Sequence, residues 1–111
     1  MTTANQYQQP SDKYQQQAAT TAIYGHQHAV IYPALGLAAE AGEVANKVKK
    51  IMRDGELDRE GIADEIGDCL WYIANIASDI GYSLEEIADM NLTKLQDRQH
   101  RNKLSGSGDF R

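Results

Sequence analysis

The sequence predicts an all-α fold, a four-helix bundle built by one small domain. Apolar residues recur at helical spacing in segments that turn signals separate, and no segment shows the sustained alternation typical of a β-strand. The 111 residues are enough for one domain with one core. Short connections between the last three segments favour helices that pack as antiparallel neighbours.

The beginning of the chain combines a polar arm with a polar helix. Residues 1–10 are rich in glutamine and end in proline, which predicts a flexible N-terminal arm before a domain over residues 11–104. Ser11 or Asp12 can cap a first helix that runs to about Tyr24. Its apolar face is thin, which is typical of a surface helix and also of a helix that lines a wet cleft.

Two long helices are predicted after a connector over residues 25–33. The second helix covers about 34–53, because Asp54 and Gly55 form a strong stop and turn signal. The third helix covers about 58–81, and its final glycine suits the left-handed position that follows many helix ends.

The fourth helix begins with a capping pattern. Ser83 and Glu86 have the Ser-x-x-Glu spacing of a capping box, and helical spacing continues to about Lys103. A tail over residues 105–111 is rich in glycine and serine and is therefore not expected to be helical.

Charge and composition exclude several classes of protein. The formal net charge is −5, which argues against binding along a nucleic-acid backbone, because that needs a basic face. No stretch approaches the roughly 18 apolar residues of a membrane helix, and the N-terminus lacks the apolar core of a signal peptide. The single cysteine, Cys69, cannot form an intrachain disulfide, so a cytoplasmic location fits.

Two pairs of carboxylates occupy matching places on the second and third helices. On a helical wheel, Glu40 and Glu43 lie at the border of one apolar stripe, and Glu65 and Asp68 lie at the border of the other, 25 residues later. The stripes consist of Leu37, Ala41, Val44, Val48 and Ile51 on the second helix, and of Ile62, Ile66, Cys69, Ile73, Ile76 and Ile80 on the third. If the stripes pack antiparallel, the four carboxylates converge.

Converging carboxylates are costly unless a cation balances them, because like charges repel and burial disfavours ionisation. An all-oxygen set favours Mg²⁺, with Mn²⁺ also possible, over iron or zinc. A di-iron bundle would use Glu-x-x-His pairs, and no histidine follows Glu40 or Glu65 by three residues. The competing interpretation is that each pair belongs to a solvated helix face.

A set of polar and basic residues could hold phosphate. Asn91, Lys94 and Arg98 share one face of the fourth helix, and Lys50 lies in a basic cluster at the end of the second. Arginine and lysine are common phosphate ligands. The alternative for Lys50 is a simple interaction with the helix dipole, which also favours cations at this position.

The segments LGLAAEAGEVANKVKK and DEIGDCLWYIANIA together resemble the signature of MazG-type nucleotide pyrophosphohydrolases, an all-α superfamily. The family pattern is Glu-x-x-Glu, a spacer, and Glu-x-x-Asp. The resemblance implies a four-helix core that assembles as a homodimer or homotetramer. It also implies Mg²⁺-dependent cleavage of a nucleoside triphosphate to the monophosphate and pyrophosphate, with a role in nucleotide-pool control.

The resemblance also implies roles for individual residues. The metal ligands would be Glu40, Glu43, Glu65 and Asp68, and one of the glutamates, Glu40 or Glu43, would position or deprotonate the attacking water. The triphosphate would contact Asn91, Lys94 and Arg98. The base would lie near the first helix, with Gln15, Ala18, Thr21 and Trp71 as candidates. For Trp71, a place in the core is the competing interpretation.

Two other classes of protein share these features. A nucleotide-binding or regulatory module could keep every ligand while lacking turnover. A helical oligomerisation module could carry the acidic pairs as solvated surface. Tight nucleotide binding without product would favour the first, and a melting temperature that does not respond to Mg²⁺ and nucleotide would favour the second.

Overall fold

The computed structural model describes residues 8–102, and the regular elements in this part of the chain are all helices, with no β-strand. The prediction of an all-α fold is therefore confirmed. A short 3-10 turn, His26–His28, lies in the connector between the first two helices. The four helices are α1 (Pro10–Thr20), α2 (Ile31–Asp54), α3 (Arg59–Ile80) and α4 (Leu84–His100).

The helix boundaries differ from the predicted ones by one to four residues. Helix α2 begins at Ile31 rather than near residue 34, because Pro33 lies in the first turn, where the missing N–H has no helical partner anyway. Helix α1 ends at Thr20 rather than near Tyr24. The predicted tail over residues 105–111 and most of the predicted N-terminal arm lie outside the described residues.

The stop and start signals in the sequence are realised in the backbone. Gly55 and Gly81 follow α2 and α3 with φ values of 76° and 84°, a region that L side chains rarely adopt. The Ser83 hydroxyl accepts a hydrogen bond from the Glu86 N–H, and the Glu86 carboxylate accepts one from the Ser83 N–H. This reciprocal capping box fixes the start of α4.

Helices α2 and α3 form an antiparallel hairpin that is the main contact of the fold. Near the turn, Lys47 forms an ion pair with Asp58 at 3.8 Å. Further along, a Cβ atom at Gly36 would overlap the Tyr72 ring, so the helices approach closely there. Helix α1 packs on α3, and α4 packs on α1 and α3. The functional side chains of the hairpin therefore face each other across α2 and α3.

The core within one chain is thin. Only alanines are buried among the apolar residues described, apart from Pro33, and the Cα radius of gyration is 17.1 Å, against about 13 Å for a compact domain of 100 residues. The predicted apolar stripes are wider than the α2–α3 contact, which leaves four of their nine large residues exposed. These exposed stripe residues are Val48, Ile66, Ile73 and Ile80.

Within residues 8–102, none of the helices combines the length and the apolar character that a bilayer crossing requires.

Candidate metal centre

Three carboxylates from the two long helices converge on one point of the hairpin. Glu40 of α2 meets Glu65 and Asp68 of α3, and one oxygen from each lies within 4.8 Å of the others. The first two side chains are half-buried and Asp68 is exposed. Because Glu65 and Asp68 are three residues apart, they project from the same face of α3. The cluster is therefore open to solvent on one side and closed by helix on the other.

The electrostatics of the cluster are those of crowded like charges. The pKa of Glu40 is raised above its ordinary value of 4.5, first by burial and then by a hydrogen bond with the Glu65 carboxyl group. The charges of Asp68, Glu65 and Glu43 raise this pKa further. Protonation of Glu40 would remove one of the repelling charges and so relieve part of the repulsion. A divalent cation bound by the same oxygens would relieve more of it.

Glu43 stands apart from this triad. Its side chain is exposed, and its oxygens are not among those that lie within 4.8 Å of one another. Its charge nevertheless contributes to the raised pKa of Glu40, one turn earlier on the same helix. The expected convergence of four carboxylates is therefore met by three, with Glu43 beside them.

Three side chains that the sequence did not indicate as site residues lie close enough to feel the charge of the carboxylates. The pKa values of Tyr72 and Cys69 on α3 and of Tyr14 on α1 are raised, in each case first by burial. Asp68 adds a coulombic contribution in all three cases. The phenols and the thiol therefore stay protonated beside the cluster. Of these three side chains, the sequence could have indicated Tyr72, because Tyr72 follows Asp68 by one helical turn.

Two predicted base-binding residues, Gln15 and Ala18, are buried at the junction of α1, α3 and α4. The Gln15 amide donates to the Ser78 hydroxyl at 3.1 Å and to the Tyr82 carbonyl at 2.9 Å. Its carbonyl oxygen accepts from the Leu84 N–H at 2.8 Å. Both amide protons are thus committed within the protein.

The other two predicted base-binding residues contact each other. The Trp71 indole N–H donates to the Thr21 hydroxyl at 2.7 Å, and that hydroxyl donates to the Ala18 carbonyl at 3.0 Å. The Trp71 ring also packs edge-on against Tyr72, with the centroids 5.0 Å apart. Trp71 is half-buried, so it combines part of the α1–α3 contact with an accessible edge.

Among the predicted phosphate ligands, Lys50 lies away from the carboxylate triad along α2, and Asn91, Lys94 and Arg98 lie on α4. Lys50 borders a cavity of about 480 Å³ at the α2–α3 turn, ten residues, or about 15 Å, beyond Glu40. Asn91 and Lys94 line a shallow pocket of about 260 Å³ on α4. Arg98 is buried, and both it and Lys94 have interaction partners in the protein.

The fold and the candidate site together define a class of protein. It is an all-α protein in which two long antiparallel helices hold a triad of carboxylates between them. Residues 32–102 match the MazG nucleotide pyrophosphohydrolase domain, so the chain belongs to that family. The chain is also 40% identical over 111 residues to the Gene 37 protein of Mycobacterium phage L5, an alignment that covers 90% of this chain and 97% of the phage protein. No solved structure matches the chain.

Proposed function

We propose that this protein is a Mg²⁺-dependent nucleoside triphosphate pyrophosphohydrolase that takes part in nucleotide-pool control. The observation that carries the proposal is the triad of Glu40, Glu65 and Asp68, whose oxygens lie within 4.8 Å of one another. Membership of the MazG family supports the reaction type. In this reaction, water attacks the α-phosphorus and the bond to the bridging oxygen breaks. The products are a nucleoside monophosphate, pyrophosphate and a proton.

The residues of the triad suit a hard divalent cation. Glu40, Glu65 and Asp68 offer only oxygen, and the raised pKa of Glu40 marks a position where negative charge is crowded and a cation would be favoured. When bound, Mg²⁺ or Mn²⁺ would supply Lewis-acid polarisation of the phosphoryl oxygens. Glu43 would complete the ligand set or act on the water. Its exposed carboxylate, one turn from Glu40, is free to orient that water or accept its proton.

The polar residues of α4 would bind the phosphate chain. Asn91 and Lys94 are exposed on this helix, and Arg98 lies further along the same face. The positive charges of Lys94 and Arg98 would stabilise the pyrophosphate that leaves. Lys50, near the C-terminal end of α2, would attract the triphosphate by its positive charge. These contacts would offset an acidic site that by itself repels a triphosphate.

The base would lie against the α1–α3 contact. Thr21 and Trp71 provide an accessible edge there, and the aromatic ring can pack against a base. Because both amide protons of Gln15 are committed within the protein, we assign to Gln15 the role of holding α1 in place. We continue to expect a reducing, cytoplasmic location. We also expect a nucleotide as the partner, rather than a nucleic acid or a membrane.

The proposal is tested by incubating the purified protein with a panel of NTPs and dNTPs and Mg²⁺, and measuring pyrophosphate and monophosphate release. We expect turnover of at least one nucleotide, and its loss in Glu43→Ala and Asp68→Ala. An exposed acid outside the cluster gives the control, Asp89→Ala. Full activity in both cluster variants would refute the proposal, and tight nucleotide binding without product in calorimetry would instead identify a binding module.

We further propose that a homodimer or homotetramer completes the bundle. Exposed apolar residues follow one face of α3 at helical spacing, which is unusual for a monomer. They are Ile66, Leu70, Ile73 and Ile80. Sedimentation equilibrium should give a mass at least twice that of one chain, and Leu70→Asp should lower it. A monomer at tens of micromolar would contradict this proposal without affecting the test of activity.

A further inference from the structure

One carboxylate of α3 holds the connector between α1 and α2. Asp79 Oδ2 accepts a hydrogen bond from the Tyr24 hydroxyl at 2.8 Å and a second from the Val30 N–H at 2.8 Å. Burial and this hydrogen bond raise the pKa of Tyr24 to about 12, so the phenol remains a donor at neutral pH. A single side chain therefore fixes both ends of residues 24–30.

The second of these bonds lies at a strained point of the backbone. Val30 precedes α2 with φ 68° and ψ −51°, a conformation that β-branched residues rarely adopt. The residue has no side chain that can cap a helix, and the first turn of α2 has no acidic residue. Asp79 accepts from the N–H of this N-cap residue and, from a different helix, places a negative charge beside the N-terminus of α2.

The anchored end of α2 leads directly to the carboxylate triad. Tyr32, in the first turn of α2, stacks on Tyr24 with centroids 4.9 Å apart and an interplanar angle of 23°. Four residues later, Gly36 allows the close approach to Tyr72. Glu40 follows after one more turn. Because a helix transmits a rigid-body shift along its axis, a change at its start moves Glu40 relative to α3.

We propose that Asp79 is a positioning residue for the site: it holds the strained start of α2 on α3 and thereby sets Glu40 opposite Glu65. Asp79 does not take part in binding or in the reaction. The part of this inference that concerns metal affinity rests on the proposed function. The part that concerns the start of α2 stands on the hydrogen bonds and the backbone alone.

The test combines Asp79→Asn with a change that relieves the strain. Val30→Gly allows a positive φ without cost, so it should reduce the need for the anchor. Two measurements are made on each variant without nucleotide: the hydrogen-exchange rate of the Ala34 amide, which bonds to the Val30 carbonyl at 3.0 Å, and Mn²⁺ affinity by titration calorimetry. Tyr24→Phe removes one of the two bonds and keeps the ring stack. Asp89→Asn is the matched control for charge.

We expect Asp79→Asn to speed exchange at Ala34 and to weaken Mn²⁺ binding about tenfold, a loss typical of residues that orient metal ligands. Tyr24→Phe should have a smaller effect in the same direction, and Asp89→Asn none. Adding Val30→Gly to Asp79→Asn should restore most of both properties. A merely structural role would lower the melting temperature without this rescue.

Two results would overturn the inference. The first is unchanged Ala34 exchange and Mn²⁺ affinity in Asp79→Asn, and the second is a loss that Val30→Gly does not repair. Should Asp79→Asn fail to fold, Tyr24→Phe with and without Val30→Gly decides by the same two measurements. If the unmodified protein binds no Mn²⁺, the proposed function fails. The role of Asp79 at the start of α2 is then tested separately, by hydrogen exchange at Ala34 in Asp79→Asn and by its rescue with Val30→Gly.

Discussion

Two polar clusters on α3 contrast in how their groups are matched. At the α1–α3–α4 junction, the Gln15 amide meets two acceptors and one donor, each with a complementary partner between 2.8 and 3.1 Å away. At the triad, Glu40 faces Glu65 and Asp68, and the groups that act on its pKa are carboxylates. The first cluster is complete within the chain, whereas the second has an excess of negative charge.

The contrast separates stability from function by a physical criterion. A buried polar group that is fully hydrogen-bonded stabilises the fold, because its desolvation cost is offset. Like charges held together destabilise it, and they persist where a ligand of opposite charge is needed. On this criterion the junction is a structural connection and the triad is a candidate site. The predictions below change one cluster at a time.

The largest expected effect is on activity, from Glu65→Gln. Loss of one anionic ligand should reduce pyrophosphate release about a thousandfold, since stabilisation of several kcal/mol depends on the bound cation. The same variant should raise the melting temperature of the metal-free protein, because one of the repelling charges is removed. The exposed Glu56→Gln is the control. If Glu65→Gln lost both activity and stability, the view that the triad serves function at a cost in stability would be contradicted.

The junction should respond in the opposite way. Gln15→Ala leaves the part-buried Leu84 N–H and the Tyr82 carbonyl without their partner, so we expect a loss of about 1–2 kcal/mol in the free energy of unfolding. Urea denaturation measures it. The neighbouring exposed glutamine gives a matched control, Gln16→Ala, which should change the free energy of unfolding by less than about 0.5 kcal/mol. Equal losses in the free energy of unfolding for Gln15→Ala and Gln16→Ala would contradict the stabilising role of the junction.

Stability should depend on pH at the triad in a defined direction. Because the folded-state pKa of Glu40 lies above 4.5, the folded protein holds its proton more tightly than the unfolded chain. The contribution of Glu40 is therefore most favourable at low pH and is lost as the pH rises through the raised pKa. The difference in melting temperature between the metal-free protein and Glu40→Gln, measured as a function of pH, isolates it. Saturating Mn²⁺ should abolish the trend, and a trend of opposite sign would refute it.

The smallest expected effect is at the α1–α3 contact. Thr21→Val removes the acceptor of the Trp71 indole N–H while keeping the shape of the side chain, so we expect a loss of about 1 kcal/mol in the free energy of unfolding. Trp71 is the single tryptophan, so its fluorescence reports directly on this site. Thr20→Val, at the neighbouring exposed position, is the control. An emission spectrum that is unchanged in Thr21→Val would argue against the hydrogen bond.

Several elements were predictable because their signals are local. Ser83 and Glu86 are three residues apart, and Gly55 and Gly81 are needed at positive φ, so the ends of the helices can be inferred from a few neighbouring residues. The Asp79 contacts with Tyr24 and Val30 could not be inferred, since they join residues about 50 apart. A long-range contact also accompanies the early end of α1. Tyr24 does not continue this helix, and its hydroxyl instead donates a hydrogen bond to Asp79 of α3.

The sequence by itself determined the class of fold and the angular positions of the acidic pairs, because helical periodicity fixes which residues share a face. Only the tertiary structure decided that Glu40, Glu65 and Asp68 meet while Glu43 stands beside them, and that Gln15 is used within the protein. The physical reason is that periodicity gives the direction of a side chain on its own helix. The packing of α2, α1 and α4 against α3 determines what that side chain meets.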